Sequence, residues 1–213
     1  MIINIGIIDY GMGNLHSVDR SFSRLNQPLK IVRRPEDLNN CHALILPGVG
    51  AFDPAMENLD KTRLIPELKK WVEDERPLLG ICLGLQLLFE SSEEGKKDGL
   101  GLLKGQIKHL PKDTGELIPH IGWALLSQHK ECPFFKDNLD QKWMYFVHSY
   151  AAIPSNPQDI ASSVKFGDQK VAAVVWKKKI AACQFHPEKS GKSGEKLLSN
   201  WLDWLRKENL SLY

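Results

Sequence analysis

Short, continuous apolar runs are the feature that most constrains how this chain of 213 residues can fold. Residues 2–8 and 77–82 are the clearest runs, and each is typical of a strand buried on both faces of a parallel sheet. Residues 29–32 and 43–46 have the same strand character. The helical patterns that alternate with these strands cover residues 15–25, 63–75 and 83–90. This alternation predicts an α/β fold with a mostly parallel open central sheet that is flanked by helices.

The second half of the chain is richer in strands. Its strand-like segments cover residues 102–110, 144–150, 162–166, 171–176 and 180–185, with glycine or proline between them. We expect these segments to add antiparallel strands in the C-terminal half. An apolar stripe predicts a closing helix over residues 193–207. Because no repeat or linker divides the chain, we expect a single domain over residues 1–213.

Composition and charge exclude several classes of function. The net charge is +2 and no basic stripe is present, so a nucleic-acid partner is not expected. No apolar run approaches the roughly 20 residues of a transmembrane helix, and no basic leader of a secretory signal precedes the first strand. The four cysteines are widely spaced without a C-x-x-C pair, which argues against disulfides and a zinc site. We therefore expect a cytoplasmic protein without membrane contact, metal or cofactor.

The string from Gly80 to Gly84 singles out Cys82 among the four cysteines. Small residues stand two before and two after it, at a predicted junction of strand and helix, which is the pattern of a nucleophile elbow. The helix that begins at Leu83 directs its N-terminal N–H groups toward the sulfur, which favours a thiolate. The N–H of Leu83 is also placed to bind an oxyanion. The alternative is a buried structural cysteine at the end of a core strand.

His186 is the candidate base for this thiol, because it follows a predicted strand in the string His186-Pro187-Glu188. Proline pushes the residue before it into an extended conformation. If the extension continues, the period of two in a strand sends His186 and Glu188 to the same side, where the carboxylate can orient the imidazole. The ends of several strands meet at one edge of an open α/β sheet, so Cys82 and His186 can converge. A surface turn is the alternative for the triplet.

Three strings together resemble the class I, triad-type glutamine amidotransferases: residues 80–86, residues 186–188 and residues 46–50. The resemblance implies a flavodoxin-like fold and a catalytic triad of Cys82, His186 and Glu188. The third string would supply a second oxyanion N–H, from the segment of Val49 and Gly50. A simple glycine turn is the alternative for that string.

Further strings narrow the resemblance to the glutaminase subunits of imidazole glycerol phosphate synthase. They cover residues 9–14, 47–52, 119–123, 146–150 and 186–190, and so span nearly the whole chain. This resemblance implies that Cys82 attacks the side-chain amide of glutamine and forms a glutamyl thioester. It also implies that Gln86 and Glu94 contact the α-amino and α-carboxylate groups of the substrate. The alternative for Glu94 is an ordinary exposed acidic pair with its neighbour Glu93.

The resemblance also implies a partner, a (β/α)₈-barrel cyclase subunit that consumes the ammonia. The residues that would lie near this interface are Asn14, Trp123, Tyr145, His148 and Lys189. For Trp123 and Tyr145 the alternative is half-buried sheet packing. Ala124 departs from the family pattern, in which asparagine is usual, and this departure touches the interface rather than the triad.

Weak activity before the partner is liganded is a further implication of the resemblance. We attribute it to the peptide between Val49 and Gly50, whose amide would point at the oxyanion only in the active state. Glycine on both sides of Val49 makes a peptide rotation sterically cheap. Two other functions remain open: the glutaminase subunit of another synthase, of the pyridoxal phosphate or anthranilate type, and a non-catalytic regulatory module.

Overall fold

A computed structural model of the protein describes residues 3–135 and 142–210, and an eight-stranded sheet lies at its centre. Residue 2, the predicted start of the first strand, lies outside the described residues. The strands are β1 Ile5–Ile8, β2 Leu29–Val32, β3 Ala43–Gly48, β4 Leu78–Cys82, β5 Ser91–Ser92, β6 Gly105–His109, β7 His120–Leu125, β8 Ser127–Gln128, β9 Trp143–His148, β10 Tyr150–Pro154, β11 Ile160–Phe166, β12 Gln169–Lys177 and β13 Ile180–Cys183. The α-helices are α1 Leu15–Arg24, α2 Phe52–Lys61, α3 Ile65–Glu73, α4 Leu83–Leu87 and α5 Gly191–Leu210.

The central sheet has the strand order β2-β1-β3-β4-β13-β12-β11-β8. The first five strands in this order run parallel. The remaining three continue the sheet in antiparallel pairs. Two smaller sheets accompany it, one of β10-β6-β5 and one in which β7 pairs with β9. The predicted fold, a mostly parallel sheet with additional antiparallel strands in the C-terminal half, is confirmed.

Each face of the central sheet packs against its own helices. On one face Ile45 of β3 lies in a buried cluster with Phe22 of α1 and Trp201 of α5. On the other face Leu44 lies in a second cluster with Trp71 of α3. Neighbouring residues of a strand point to opposite faces, so a strand with helices on both sides needs apolar residues at every position. This explains the continuous apolar runs.

Several element boundaries differ from the prediction. The helix α2 was not predicted, although Phe52, Ala55, Met56 and Leu59 bury one helical face. The helix predicted over residues 83–90 ends at Leu87, because the chain turns there so that the N–H of residue 90 bonds to the carbonyl of residue 105. The strand predicted to end at residue 185 ends at residue 183. None of the helices among the described residues has the length and apolar character needed to cross a membrane.

Parallel strands bring four connecting segments to the same edge of the sheet. Residues 9–14 follow β1, residues 49–51 follow β3, α4 follows β4, and residues 184–190 follow β13. This is the edge where ligands bind in open α/β sheets. It holds the two strings from which we predicted a triad.

Candidate active site

Cys82 is both the last residue of β4 and the residue before α4, and its backbone is strained. Its φ of 54° and ψ of −113° lie in a region that residues with a side chain rarely adopt. The turn also needs Gly84, because a Cβ built there would lie 1.8 Å from the carbonyl oxygen of Leu46. A sharp, strained junction of strand and helix is the geometry of the predicted elbow.

Relief of this strain should be measurable. We expect Cys82→Gly to unfold at a higher temperature than Cys82→Ala, with a free energy of unfolding about 1 kcal/mol greater, because only glycine adopts positive φ without cost. Both variants lack the thiol, so the comparison isolates the backbone term. Thermal and urea unfolding of the two variants would measure it, and equal stabilities would contradict the strain.

His186 and Glu188 meet, although by a different route from the predicted one. His186 has an extended backbone, with φ −102° and ψ 94°, and its N–H donates to the carbonyl of Tyr145 at 3.0 Å. Extension does not continue past it, because residues 187–189 form a 3₁₀ turn. The turn brings Glu188 back under the imidazole, and Nδ1 of His186 lies 2.7 Å from Oε1 of Glu188. A carboxylate accepts, so Nδ1 carries the proton and Nε2 is left for Cys82.

The charges of the triad favour a protonated imidazole. Burial of His186 acts to lower its pKa, but hydrogen bonds to Cys82 and Glu188 and the negative charges of both groups outweigh burial and raise the pKa to about 10. The ring is therefore an imidazolium at neutral pH, between a sulfur and a carboxylate. This is the ground state from which a thiolate can attack and a histidine can donate a proton.

The raised pKa of His186 predicts how stability depends on pH. Its folded-state pKa of about 10 lies above the ordinary 6.5, so its contribution is full below pH 6.5 and is lost as the pH rises through about 10. We expect Glu188→Gln to lower the free energy of unfolding by about 2 kcal/mol at pH 6 and by clearly less at pH 10.

Urea unfolding at the two pH values measures this difference. Glu73→Gln, on the exposed surface of α3, is the matched control and should change stability equally at both. A Glu188→Gln effect that did not diminish between pH 6 and pH 10 would contradict the ion pair.

A cavity of about 300 Å³ opens directly above Cys82. The predicted site residues that line it are Val49, Gly50, Cys82, Leu83, Gln86, Glu94, His148 and His186. Pro119 and the segment from Val147 to Tyr150 complete the wall. In the part of the chain that the structure describes, no three His, Cys, Asp or Glu side chains are grouped as metal ligands. The cavity is large enough for a small amino acid and has both charged and amide groups in its wall.

Glu94 belongs to this cavity rather than to an exposed acidic pair. Its carboxylate accepts a hydrogen bond at 2.9 Å from the N–H of Phe52, at the start of α2. Burial raises the pKa of Glu94, and the bond from Phe52 acts in the opposite direction. Its neighbour Glu93 turns away and accepts from the N–H of His109 instead. A half-buried carboxylate in a cavity wall is suited to an ammonium group of a ligand.

Gln86 is held by two hydrogen bonds, one of them to a residue that sequence reasoning missed. Its Nε2 donates to the carbonyl of Tyr150 at 3.1 Å and to Oε1 of Gln184 at 3.2 Å. Nε2 of Gln184 in turn lies 4.0 Å from Sγ of Cys82. The available signal was a lone polar residue inside an apolar strand run, two positions before His186.

The predicted oxyanion donors differ in their present partners. Leu83 is the first residue of α4, and N–H groups of a first turn have no partner within their helix. The N–H of Val49 instead donates to the carbonyl of Met12 at 2.9 Å. Tyr10 fastens the same segment, because its hydroxyl donates to the carbonyl of Pro47 at 2.9 Å. Burial raises the pKa of Tyr10, so the hydroxyl keeps its proton.

Four of the five predicted interface residues are exposed or partly exposed. Trp123 of β7 and Tyr145 of β9 face each other in edge contact, with ring centroids 6.1 Å apart. Trp123 is 53% exposed and Tyr145 is partly buried, so half-buried sheet packing describes both side chains in the chain alone. Lys189 is exposed, and Asn14 caps α1 by accepting from the N–H of Ser17.

His148 is buried in the cavity wall instead of being exposed. Its Nδ1 lies 2.9 Å from the carbonyl of Tyr150, and its Nε2 lies 3.2 Å from Nδ1 of His120. Burial lowers the pKa of His148 to about 4, so the ring is neutral at pH 7. A carbonyl only accepts, so Nδ1 of His148 is the donor and its Nε2 accepts from His120.

Comparison with known proteins identifies the family of this chain. Residues 6–204 match the family Glutamine amidotransferase class-I. The chain is 74% identical over 213 residues to "Imidazole glycerol phosphate synthase subunit HisH" of Prochlorococcus marinus (strain SARG), with 100% of both chains covered. The protein of the same name in Prochlorococcus marinus (strain MIT 9211) is 65% identical over 212 residues, again with 100% of both chains covered.

Solved structures agree in fold. "Crystal structure of glutamine amidotransferase" matches with a TM-score of 0.74 at 20% identity, covering 95% of this chain and 98% of the other. "Structure of PurLQS from Thermotoga maritima" matches with a TM-score of 0.75 at 18% identity, covering 96% and 100%. The chain therefore belongs to the class-I glutamine amidotransferase family and, within it, to the HisH subunits of imidazole glycerol phosphate synthase.

Proposed function

We propose that this chain is the glutaminase subunit of imidazole glycerol phosphate synthase in histidine biosynthesis, with Cys82 as nucleophile. The observation that carries the proposal is the strained Cys82 beside an imidazolium that is itself held by Glu188, at the floor of a cavity. The relatives at 74% and 65% identity, both named as HisH subunits, support the same activity. They favour this function over the glutaminase subunit of another synthase and over a non-catalytic module.

The reaction would proceed through a thioester. The Cys82 thiolate attacks the side-chain amide carbon of glutamine, and the carbonyl oxygen becomes an oxyanion. When the C–N bond breaks, His186 gives its Nε2 proton to the departing nitrogen, and ammonia leaves. The neutral His186 then takes a proton from water, whose oxygen attacks the thioester and releases glutamate. Glu188 keeps the imidazole in the tautomer that both proton transfers need.

Substrate recognition would use the cavity wall. Glu94 is suited to the α-ammonium of glutamine. Both N–H groups of Gln86 are already bonded, so its Oε1 would accept from the same α-ammonium. The N–H of Leu83 would bind the oxyanion, with the segment of Val49 and Gly50 as the second donor. Because Val49 now donates to Met12, that segment must change before both N–H groups can serve one oxyanion. Glycine follows Val49, with a φ of 98° at Gly50, which supports a local peptide rotation.

The ammonia would pass to a (β/α)₈-barrel cyclase subunit, which makes imidazole glycerol phosphate and an aminoimidazole carboxamide ribotide. The pair of strands β7 and β9 supports a docking role, because its outer face is apolar and exposed. The exposed members of this face are Ile121, Trp123, Leu125, Trp143 and Val147. An exposed contiguous apolar face of this kind is typical of a protein interface. Four unpaired cysteines fit a reaction in the cytoplasm.

Glutamine hydrolysis with and without the cyclase tests the function. We expect the chain alone to release ammonia slowly, and the complex with the nucleotide ligand of the cyclase to release it at least about tenfold faster, because only then are both oxyanion donors available. Glutamate release measures the rate. Equal rates in the free chain and in the liganded complex would contradict the activation, and no hydrolysis in either would contradict the function.

Docking can be tested at the apolar face of β7 and β9. We expect Trp123→Ala to weaken binding of the cyclase by at least about tenfold, because a large exposed aromatic ring is typical of an interface hot spot. Ile153→Ala is the matched control, since Ile153 is equally exposed on β10, outside this face. Titration calorimetry with the cyclase measures both. An equal effect of the two substitutions would place the interface elsewhere.

A further inference from the structure

A chain of hydrogen bonds runs behind the nucleophile and ends on its sulfur. His120 donates to His148, and His148 donates to the carbonyl of Tyr150. Gln86 donates to the same carbonyl and to Oε1 of Gln184. Nε2 of Gln184 then points at Sγ of Cys82, 4.0 Å away. The triad accounts for none of these bonds, and Gln184 is completely buried.

The donor and acceptor orientation of these hydrogen bonds is determined by one atom. The carbonyl oxygen of Tyr150 can only accept, so the Gln86 side chain must present its NH₂ group there. That same NH₂ group lies against Gln184 and needs an acceptor, so Gln184 must present its Oε1 to Gln86. The NH₂ group of Gln184 is then the end that faces Cys82. With the alternative orientation of Gln184, its NH₂ would face that of Gln86 and its oxygen would face the sulfur.

We propose that Gln184 is a positioning residue for the nucleophile: it presents an N–H to the sulfur of Cys82, and Gln86 sets the direction of its amide. The proposal deepens the function proposed above, because a thiolate is the form that attacks the amide. An N–H directed at the sulfur stabilises the thiolate and has nothing comparable to offer a thiol, which needs an acceptor for its own proton. It also holds the sulfur at one end of the cavity without occupying the space of a substrate.

Gln184 acts together with other groups around the sulfur. The titratable groups whose charges interact with Cys82 are His186, Tyr10 and Cys183. Burial raises the pKa of Tyr10 and of Cys183, so both stay neutral near pH 7. His186 is then the one positive charge among these three, and it lies on a different side chain from the amide. The contribution of Gln184 can therefore be separated from that of His186 by substitution.

Alkylation of Cys82 by iodoacetamide across pH 5–10 tests the proposal in the full chain. We expect Gln184→Met, which keeps the length of the side chain and removes the amide, to slow alkylation at pH 7 by about tenfold or more. The alkylation profile should move toward higher pH, because the thiolate loses its N–H partner. Mass spectrometry of the peptide that contains Cys82 reports the reaction at this cysteine. Gln184→Glu, which replaces the N–H by an oxygen, should shift the profile in the same direction.

Gln27→Met is the matched control. Gln27 is also buried, and its Nε2 donates to the carbonyl of Ile3 near the opposite edge of the sheet. Loss of the Gln27 amide should lower the stability of the chain without changing the pH profile of Cys82 alkylation. A Gln184→Met chain that folds and has the profile of the wild type would overturn the proposal, because a purely structural glutamine would behave in that way.

A measurement on the wild type covers the case in which both Gln184 variants fail to fold. We expect the side-chain NH₂ resonance of Gln184 to shift when iodoacetamide alkylates Cys82, because the alkylated sulfur carries no negative charge to accept the N–H, and we expect no such shift in Cys82→Ala. A resonance that does not respond to alkylation of Cys82 in the wild type would refute the N–H contact. Neither experiment uses glutamine or the cyclase. A chain without glutaminase activity would therefore overturn the proposed function and leave the Gln184 result to be judged separately.

Discussion

Cys82→Ala is expected to lower glutamine-dependent synthesis by the complex at least about a thousandfold, while synthesis from added ammonium continues at the wild-type rate. Under the proposed function the Cys82 thiolate forms the covalent intermediate, and no other described cysteine lines the cavity. Under the same proposal the cyclase uses ammonia from either source, so its rate with added ammonium should not change. Product formation from glutamine and from ammonium, measured in parallel, separates the two steps.

Cys132→Ala is the matched control for this substitution. Burial raises the pKa of Cys132 to about 11, so it stays a thiol, and it lies outside the cavity. Synthesis from glutamine should remain near the wild-type rate in this variant. Loss of both the glutamine and the ammonium reactions in Cys82→Ala would mean that Cys82 has a structural role.

Gly84→Ala is expected to lower the free energy of unfolding by at least about 3 kcal/mol. The added Cβ would lie 1.8 Å from the carbonyl oxygen of Leu46 and 2.8 Å from its carbonyl carbon. Both are backbone atoms of a central strand, so no side chain can rotate to make room. Either β3 must move away from α4 or the elbow must open, and each would displace Cys82. Urea unfolding and glutamine hydrolysis should therefore both decline.

Gly115→Ala separates this clash from the general effect of replacing a glycine. Gly115 is exposed at a φ of 75°, and a Cβ there would meet no atom within 4 Å. Its substitution should cost about 1 kcal/mol from backbone strain alone. If Gly84→Ala lowered the free energy of unfolding no more than Gly115→Ala, α4 would pack against β3 less closely than described.

The central sheet could be predicted because its signal is local and repeated. A strand covered on both faces must be apolar at every position, and that pattern is visible without knowledge of its neighbours. The helix α2 was missed although its apolar residues recur at helical spacing, because Pro54 within the pattern suggests a break in a helix. Proline is tolerated in the first turn of a helix, where its missing N–H has no partner to lose. The apolar face of α2 was therefore visible in the sequence, and Pro54 alone argued against a helix.

The meeting of Cys82, His186 and Glu188 could be predicted for the same reason, since each of these residues stands in a short, recognisable sequence motif. The hydrogen bond from Val49 to Met12 could not be predicted from the sequence. It joins two backbone groups, and any residue other than proline supplies the same N–H and carbonyl. The contact of Gln184 could not be predicted for a different reason. Its partner Cys82 is 102 residues away, and only the register of β13 beside β4 brings the two together.

The bond between Val49 and Met12 bears on how a cell balances its nitrogen. Under the proposed function, a chain made in excess of its cyclase would keep one oxyanion donor turned away and would break down little glutamine. The cell then need not match the synthesis of the two subunits closely. A surplus of this chain would hydrolyse little glutamine, and ammonia would be released mainly in complexes whose cyclase is ready to use it.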